Sequence, residues 1–252
     1  MSIYGDFAYV YAKGQYPGFS SQMAEHLPTV LRHLHVKPKT ILDVACGEGT
    51  FAVAMAEKGF DVTGIDLSPQ MLEFARQRAQ KSKAEVTFIL GDMRTLGFKD
   101  RFDLVTCWFD SLNYLLDSED LKKTFRGVSH ALKREGLFIF DMNSVYGLAV
   151  NWQESPCYVE GDTPDIFETH RQEYDFEHNI ATMRITCFVK GENGWMRVDE
   201  DHKERAYSQE AIRSLLEATG FQLLATWGGF REMSDPKPDS GRLWYIAKKV
   251  RR

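Results

Sequence analysis

From Thr40 to Asp141 the chain alternates short apolar runs with amphipathic stretches of helical period, and that rhythm leaves few folds open. The runs Thr40–Ala45 (TILDVA), Asp61–Asp66 (DVTGID), Val86–Leu90 (VTFIL), Phe102–Cys107 (FDLVTC) and Leu137–Asp141 (LFIFD) have the length and continuous apolarity of strands buried on both faces. Between them, Thr50–Lys58, a stretch capped by Ser68 and running to Ser82, and a stretch capped by Ser118 and running to Lys133 carry helix signals. Pro69 sits at a first helical position, Gly59 just past an end, and Gly136 after a basic last turn. Repeated strand–helix units of this length predict a parallel sheet with helices on both faces.

The flanks are different. Residues 20–35 show apolar positions at helical spacing, ended by Pro38, and residues 1–18 read as an irregular arm rich in Tyr and Gly. Residues 144–206 break the α/β rhythm. Ile166–Phe176, Ala181–Val189 and Trp195–Ala206 are β-rich, with turn signals at Glu177-His178-Asn179 and at 191–194, so three or four antiparallel strands are expected there. The pattern then resumes with a helix from Ser208 to Thr219 and strands at Phe221–Thr226 and Leu243–Lys248. This divides the chain into a main domain, 1–143 with 207–252, and an inserted antiparallel β subdomain, 144–206, expected to act as a lid on the acceptor side.

Composition narrows the function classes. A net charge of −5 argues against nucleic acid as a partner, because polyanion binding rests on a basic surface. The basic run 248–252 reads as a solvated end. Cys46, Cys107, Cys157 and Cys187 form no C-x-x-C pair, so no zinc or other metal site is expected and all four read as buried free thiols in a reducing compartment. No leader-like segment opens the sequence and no apolar run approaches the ~20 residues of a membrane span, so a cytoplasmic location and no membrane partner are expected. The oligomeric state is left open.

The chemistry concentrates where the first strand turns into the first helix of the alternation, at Asp43-Val44-Ala45-Cys46-Gly47-Glu48-Gly49-Thr50. Ala45, Gly47 and Gly49 are small residues at a turn where a ligand can approach the backbone, on the edge of a parallel sheet where ligands bind. A dinucleotide fingerprint needs G-x-G-x-x-G; here the first position is Ala45 and the last Thr50. The pattern suits a methionyl tail better than a pyrophosphate. Asp43 reads as an orienter of this loop. Asp66 closes the second strand, where a carboxylate can accept both ribose hydroxyls of an adenosyl group. Leu67 and Met71 would flank the adenine, although Met71 also reads as a core residue. At the end of the third strand, Asp92 could accept from the adenine amino group and Met93 could donate its backbone N–H.

Taken in order and spacing, ILDVACGEGTFA, VTGIDLSPQML, GDMRTL, FDLVTCWFDSLNYL and LKREGLFIFDMN closely resemble the successive motifs of class I S-adenosylmethionine-dependent methyltransferases, over residues 40–143. The chain is similar to a subgroup that includes amino-sugar N,N-dimethyltransferases and, more distantly, glycine N-methyltransferase. The resemblance implies a Rossmann-like seven-stranded, mostly parallel sheet with a β insertion after the fifth strand, and S-adenosyl-L-methionine as cofactor. It also implies that Ala45, Asp66, Asp92, Met93 and Trp108 line the cofactor site, with an arm tyrosine, Tyr16 or Tyr11, near the sulfonium.

On the acceptor side, Trp108 to Tyr114 should face the methyl group. No Asn/Asp-Pro-Pro-aromatic run stands there, and Pro156-Cys157 lies in the insert and reads as structural, so base methylation of DNA is disfavoured. Asp110 could orient an amine. His170, Tyr174, His202 and Tyr207 could exchange a proton with an acceptor, with packing duty the simpler reading. The sequence identifies no catalytic base, and in-line transfer from a sulfonium rests chiefly on positioning. The expected activity is methylation of a small molecule, at an amine ahead of a hydroxyl. The alternatives are an RNA or protein methyltransferase, a binding protein without chemistry, and, disfavoured by Ala45 and Thr50, an NAD-dependent reductase.

Overall fold

The computed structural model describes residues 4–192 and 194–250. In chain order the elements are α1 (Phe7–Lys13), α2 (Pro17–His33), β1 (Thr40–Val44), α3 (Thr50–Glu57), β2 (Asp61–Asp66), α4 (Pro69–Ser82), β3 (Val86–Leu90), β4 (Phe102–Cys107), α5 (Ser118–Ala131), β5 (Leu132–Asn143), α6 (Val145–Ala149), β6 (Cys157–Asp162), β7 (Ile166–Asp175), β8 (Ile180–Gly191), β9 (Gly194–Arg205), α7 (Gln209–Ala218), β10 (Phe221–Trp227) and β11 (Arg242–Lys249).

Seven strands form one sheet in the order β10-β11-β5-β4-β1-β2-β3. The five central and right-hand strands run parallel, while β11 pairs antiparallel with both β5 and β10. Alternation along the buried strands feeds two cores. Leu42, Val44, Val105, Phe138 and Phe140 pack with α5 and α7 on one face. Ile41, Leu104, Leu137 and Ile139 pack with α2 and α3 on the other. The second sheet, β6-β7-β8-β9, is antiparallel throughout.

Several local expectations are corrected. The arm is not irregular over its described part: Phe7–Lys13 is helical and α2 already begins at Pro17. A seven-residue helix without a side-chain cap has no stability alone. It is held because Phe7, Val10 and Tyr11 bury against Ile185, Cys187, Val189 and Val198 of the second sheet. Asp117, not Ser118, caps α5, accepting from Glu119 N–H, and the helix stops at Ala131 rather than Lys133. β5 starts five residues early because left-handed Glu135 (φ 65°) opens a bulge beside β4. Lys249 is not a solvated tail residue. Its ammonium is buried, donating to Asp100 (2.8 Å) and to the Leu132 carbonyl (2.6 Å), since β11 runs inside the sheet. Three thiols are buried as expected, but Cys157, at the start of edge strand β6, is exposed. Asn193 of the 191–194 turn, residues 1–3 of the arm and Arg251-Arg252 of the basic run lie outside the described residues.

Gly49, the residue before α3, has φ +82°, and a Cβ there would stand 2.8 Å from the Ala75 Cβ and 3.0 Å from the Ala75 Cα of α4. The third small residue of the turn therefore sets the packing of two helices. Gly49→Ala should lower unfolding stability by roughly 1–3 kcal/mol from the left-handed backbone alone, with the clash adding to it, as read by urea denaturation. A loss under about 0.5 kcal/mol, the scatter of ordinary surface changes, would show that α4 yields freely.

Candidate active site

The strand order reverses between β1 and β4, so the loops after β1, β2, β3 and β4 meet at one edge of the sheet. After β1 the backbone turns through left-handed residues at Ala45 (φ 55°), Gly47 (φ 54°) and Gly49. Asp66, at the end of β2, ties this loop to its neighbour: its carboxylate accepts from the Gly47 N–H and from the Ser68 N–H, both at 2.8 Å. Ser68 in turn accepts from Met71 N–H and caps α4. The loop is thus oriented by Asp66. Asp43, expected in that role, instead accepts from the Thr106 hydroxyl (2.9 Å).

These loops surround a cavity of about 280 Å³. Asp43, Ala45, Gly47, Asp66, Leu67, Met71, Asp92, Met93 and Trp108 all line it. Gly49 does not, being spent on helix packing. Tyr16 does not either. Its hydroxyl donates to Glu168 and lies 3.2 Å from His170 Nε2, while its ring stacks on Tyr11, which does line the cavity together with Tyr4. Tyr11 is therefore the arm tyrosine of the expected pair that reaches the site. Tyr4 was not legible, since only the packing of α1 brings it there. Both Asp92 oxygens are taken by Arg94, through its backbone N–H and guanidinium, which leaves them engaged rather than free for a ligand amine. Arg94 lowers the Asp92 carboxyl below its ordinary range.

Beyond β4 the chain makes two consecutive left-handed residues, Phe109 (φ 58°) and Asp110 (φ 52°). Their N–H groups donate to the fully buried Asp141 carboxylate at 2.7 and 3.0 Å. Arg242 pairs with Asp141 and, at 3.0 Å, with Asp110, and its guanidinium lies over the Phe19 and Phe109 rings. Asn143 donates to Asp110 (2.6 Å) and to Glu204 of β9 (2.8 Å). Burial pushes the Glu204 carboxyl well above its ordinary range, with Asp110 adding to the push. Asp110 is thus engaged in holding the second sheet and is absent from the cavity lining, against the expectation that it orients an acceptor.

The arm forms one side of the cavity. Tyr4 donates its N–H to Glu200 of β9 (2.6 Å), and its carbonyl accepts from Ser68 Oγ (2.9 Å), linking the second sheet to the loop after β2.

Comparison with known proteins agrees with this geometry. The profile of a methyltransferase domain matches residues 41–136. YqeM of Bacillus subtilis, provisionally named a methyltransferase, is 36% identical over 211 residues, which cover 83% of each chain. A crystal structure of an S-adenosylmethionine-dependent methyltransferase from Clostridium acetobutylicum superposes with a TM-score of 0.84 at 28% identity, covering 99% of this chain and 100% of that one. The chain belongs to the S-adenosylmethionine-dependent methyltransferases. Among more distant relatives of this methyltransferase is the dTDP-3-amino-3,6-dideoxy-α-D-glucopyranose N,N-dimethyltransferase of Streptomyces fradiae, 26% identical over 82% of this chain and 79% of that one.

The methyltransferase has the surfaces such a cofactor needs. Gly47 leaves open space, a Cβ there meeting nothing nearer than Met71 Cε at 3.6 Å. Trp108 lines the cavity, and its ring packs edge-on to Phe51 and Phe230 behind the wall. Leu67, also on the lining, is 65% exposed and offers apolar surface. Aromatic rings and carboxylates share the lining, which suits a sulfonium cation.

One lining carboxyl titrates far from its ordinary value. Burial pushes Asp43 up to about 8; the Thr106 hydrogen bond opposes this, and Asp66 and Glu48 add to it. An unfolded aspartate titrates near ~3.9, so between those values the folded state holds a proton that the unfolded state does not. Stability therefore falls as pH rises from about 4 toward 8, and the penalty is absent below the unfolded value. Asp43→Asn, which keeps an acceptor for Thr106, should match the parent Tm near pH 4, exceed it increasingly as pH rises toward 8, and hold a constant margin above that in cofactor-free protein. Parallel Tm curves across that range would contradict the assignment.

Proposed function

We propose that the protein methylates a small molecule, at an amine in preference to a hydroxyl, in the cavity between the two sheets. The observation that carries this reading is the size and lining of the site. Tyr4, tied to Glu200 and Ser68, borders a space of about 280 Å³ with aromatic and carboxylate walls, which suits a ligand of small-molecule size. The acidic balance of the chain and the amino-sugar acceptor named for the Streptomyces fradiae relative support it. In this reading residues 144–206 form the lid on the acceptor side.

Bound S-adenosylmethionine supplies an activated methyl group on a sulfonium. The chain's part is to bind, align and exclude water. The backbone at Ala45 and Gly47 faces the methionyl tail, and Asp66, already fixed by two N–H donors, accepts from the ribose hydroxyls with its remaining lone pairs. Leu67 and Met71 flank the adenine, and Met93 offers its backbone N–H. Trp108 supplies a wall of the site. Asp92 acts on the adenine only through Arg94. Asp43 contributes as a buried neighbour of the loop, and Gly49 through helix packing. Tyr11, with Tyr16 stacked behind it, and Tyr4 present aromatic surface to the cation. Holding acceptor and methyl in line is worth up to ~7–11 kcal/mol in well-oriented systems.

Two measurements test this. Hydrogen bonds to a charged group contribute roughly 1.5–3 kcal/mol, so Asp66→Ala should weaken S-adenosylmethionine binding roughly 10- to 150-fold by calorimetry; unchanged affinity removes Asp66 from the site. Release of S-adenosylhomocysteine is then followed with glycine, dTDP-3-amino-3,6-dideoxy-α-D-glucose, a catechol, bulk tRNA and a lysine-rich peptide. Turnover of an amine or hydroxyl compound alone is expected. Turnover of RNA or peptide alone, or tight cofactor binding with none of the small molecules methylated, overturns the reading.

A further inference from the structure

The inner face of the second sheet carries more buried polar groups than packing requires. On β9, Glu200, His202 and Glu204 point to one side, toward the cavity; the β8 residues paired with them, Ile185, Met183 and Ala181, carry no charge. His202 is 2% exposed. Its Nδ1 lies 2.9 Å from Tyr114 Oη, and Tyr114 Oη lies 3.1 Å from Tyr4 Oη. Both tyrosines line the cavity; His202 does not. On the far side of the ring, Nε2 is 3.2 Å from a Glu200 carboxylate oxygen, without hydrogen-bond geometry to any partner among the described residues.

We propose that Tyr114, His202 and Glu200 form a proton relay that carries the acceptor's proton out of the cavity. The proposal rests on the reading that an amine or hydroxyl is methylated there. An amine enters as an ammonium ion and gives up a proton before its lone pair is free; a hydroxyl gives its proton up as the oxygen attacks. In both cases the acceptor's proton passes to the Tyr114 oxygen, directly or across the Tyr4 hydroxyl, while Tyr114 passes its own proton to His202 Nδ1. The acceptor's lone pair bonds to the methyl carbon and displaces the sulfur, which keeps the electron pair of the broken bond. His202 ends as an imidazolium whose Nε2–H faces the Glu200 carboxylate.

The arrangement of groups supports this direction. Burial raises both phenols above their ordinary range, so each stays a hydroxyl and conducts a proton rather than storing one. Imidazole is the side chain suited to take it near neutral pH. Tyr114 Oη can donate only if Nδ1 carries no hydrogen, which places the ring proton on Nε2, toward Glu200. The Glu200 carboxylate, 3.2 Å from Nε2, is placed to favour the positive charge that the ring takes up with the proton. Glu200 also accepts from Tyr4 N–H, so the arm's backbone and the imidazole lie against one carboxylate. The titratable groups facing His202 are Tyr4 from the arm, Tyr114 from the loop after β4, and Glu200 and Glu204 from β9. Phe7 of α1 covers the ring edge.

The test reads the tautomer of His202 in full-length protein with ¹⁵N-labelled histidine rings, its signals identified by their loss in His202→Asn. At pH 8 a neutral Nε2–H ring is expected, with an Nδ1 resonance that shifts in Tyr114→Phe, a change that removes the donor and keeps the ring. An Nδ1–H tautomer, or an Nδ1 resonance indifferent to Tyr114→Phe, overturns the relay. This readout needs no acceptor, so a failed acceptor screen and a failed relay are separate results. With glycine or the dTDP-amino sugar as probe, whichever is turned over, His202→Asn should lower kcat by about 10²-fold or more. It should also change the shape of the kcat–pH profile while S-adenosylmethionine affinity stays within about threefold. An unaltered pH profile at reduced kcat would mean that His202 only packs.

Discussion

One buried carboxylate holds together the parts on which the site depends. Asp141 ends the apolar run of β5, where every face is covered, and an aspartate there is tolerable only with its oxygens filled. The N–H groups of Phe109 and Asp110 and the guanidinium of Arg242 fill them. The two N–H groups come from consecutive left-handed residues, a conformation that costs of order 1–3 kcal/mol each for side chains other than glycine. That strain is held by the aspartate. It turns the chain sharply after β4, leaving Trp108 and Phe109 on the cavity and Tyr114 a few residues farther on. Through Asp110, Asn143 and Glu204 the same cluster reaches the second sheet, so the cavity wall and that sheet share an anchor.

The cavity is built from two kinds of contact. Its floor is local: each loop follows a parallel strand, and Asp66, Ser68 and the left-handed small residues close it with hydrogen bonds between neighbouring loops. Its roof is not. α1 has no cap and too few residues to stand alone, and it exists because the second sheet presents Ile185, Cys187, Val189 and Val198 to it. Tyr4, Tyr11 and Tyr16 arrive with that helix. Tyr16 lands against Glu168 and His170, and Tyr11 takes the place beside the cavity.

The mostly parallel sheet, its helices and the ligand-facing turn after β1 were legible because they follow from residues close in sequence. Strand periodicity, the small residues at 45, 47 and 49, and an acidic residue closing β2 each act within one β–α unit. The misread residues share a cause. Asp43 and Asp66 both look able to orient the loop; which one does so depends on strand neighbours, and Thr106 across β4 claims Asp43. Asp110 looks available for an acceptor until Arg242, 132 residues away, takes it. Lys249 looks like a tail residue until β11 carries it into the sheet beside Asp100 and the Leu132 carbonyl. His202 reads as packing from its strand alone, and only Tyr4 and Tyr114, brought from two other segments, give it partners.

The sequence by itself determined a doubly covered parallel sheet with an inserted antiparallel one, and the ligand-facing turn at Ala45 to Gly49, because apolar period and backbone conformation are short-range properties of the chain. Only the tertiary structure decided which polar groups meet in the interior. A buried charge or hydroxyl takes its role from the partner that desolvation forces it to find, and here those partners lie up to 196 residues apart, as with the Tyr4 N–H and Glu200.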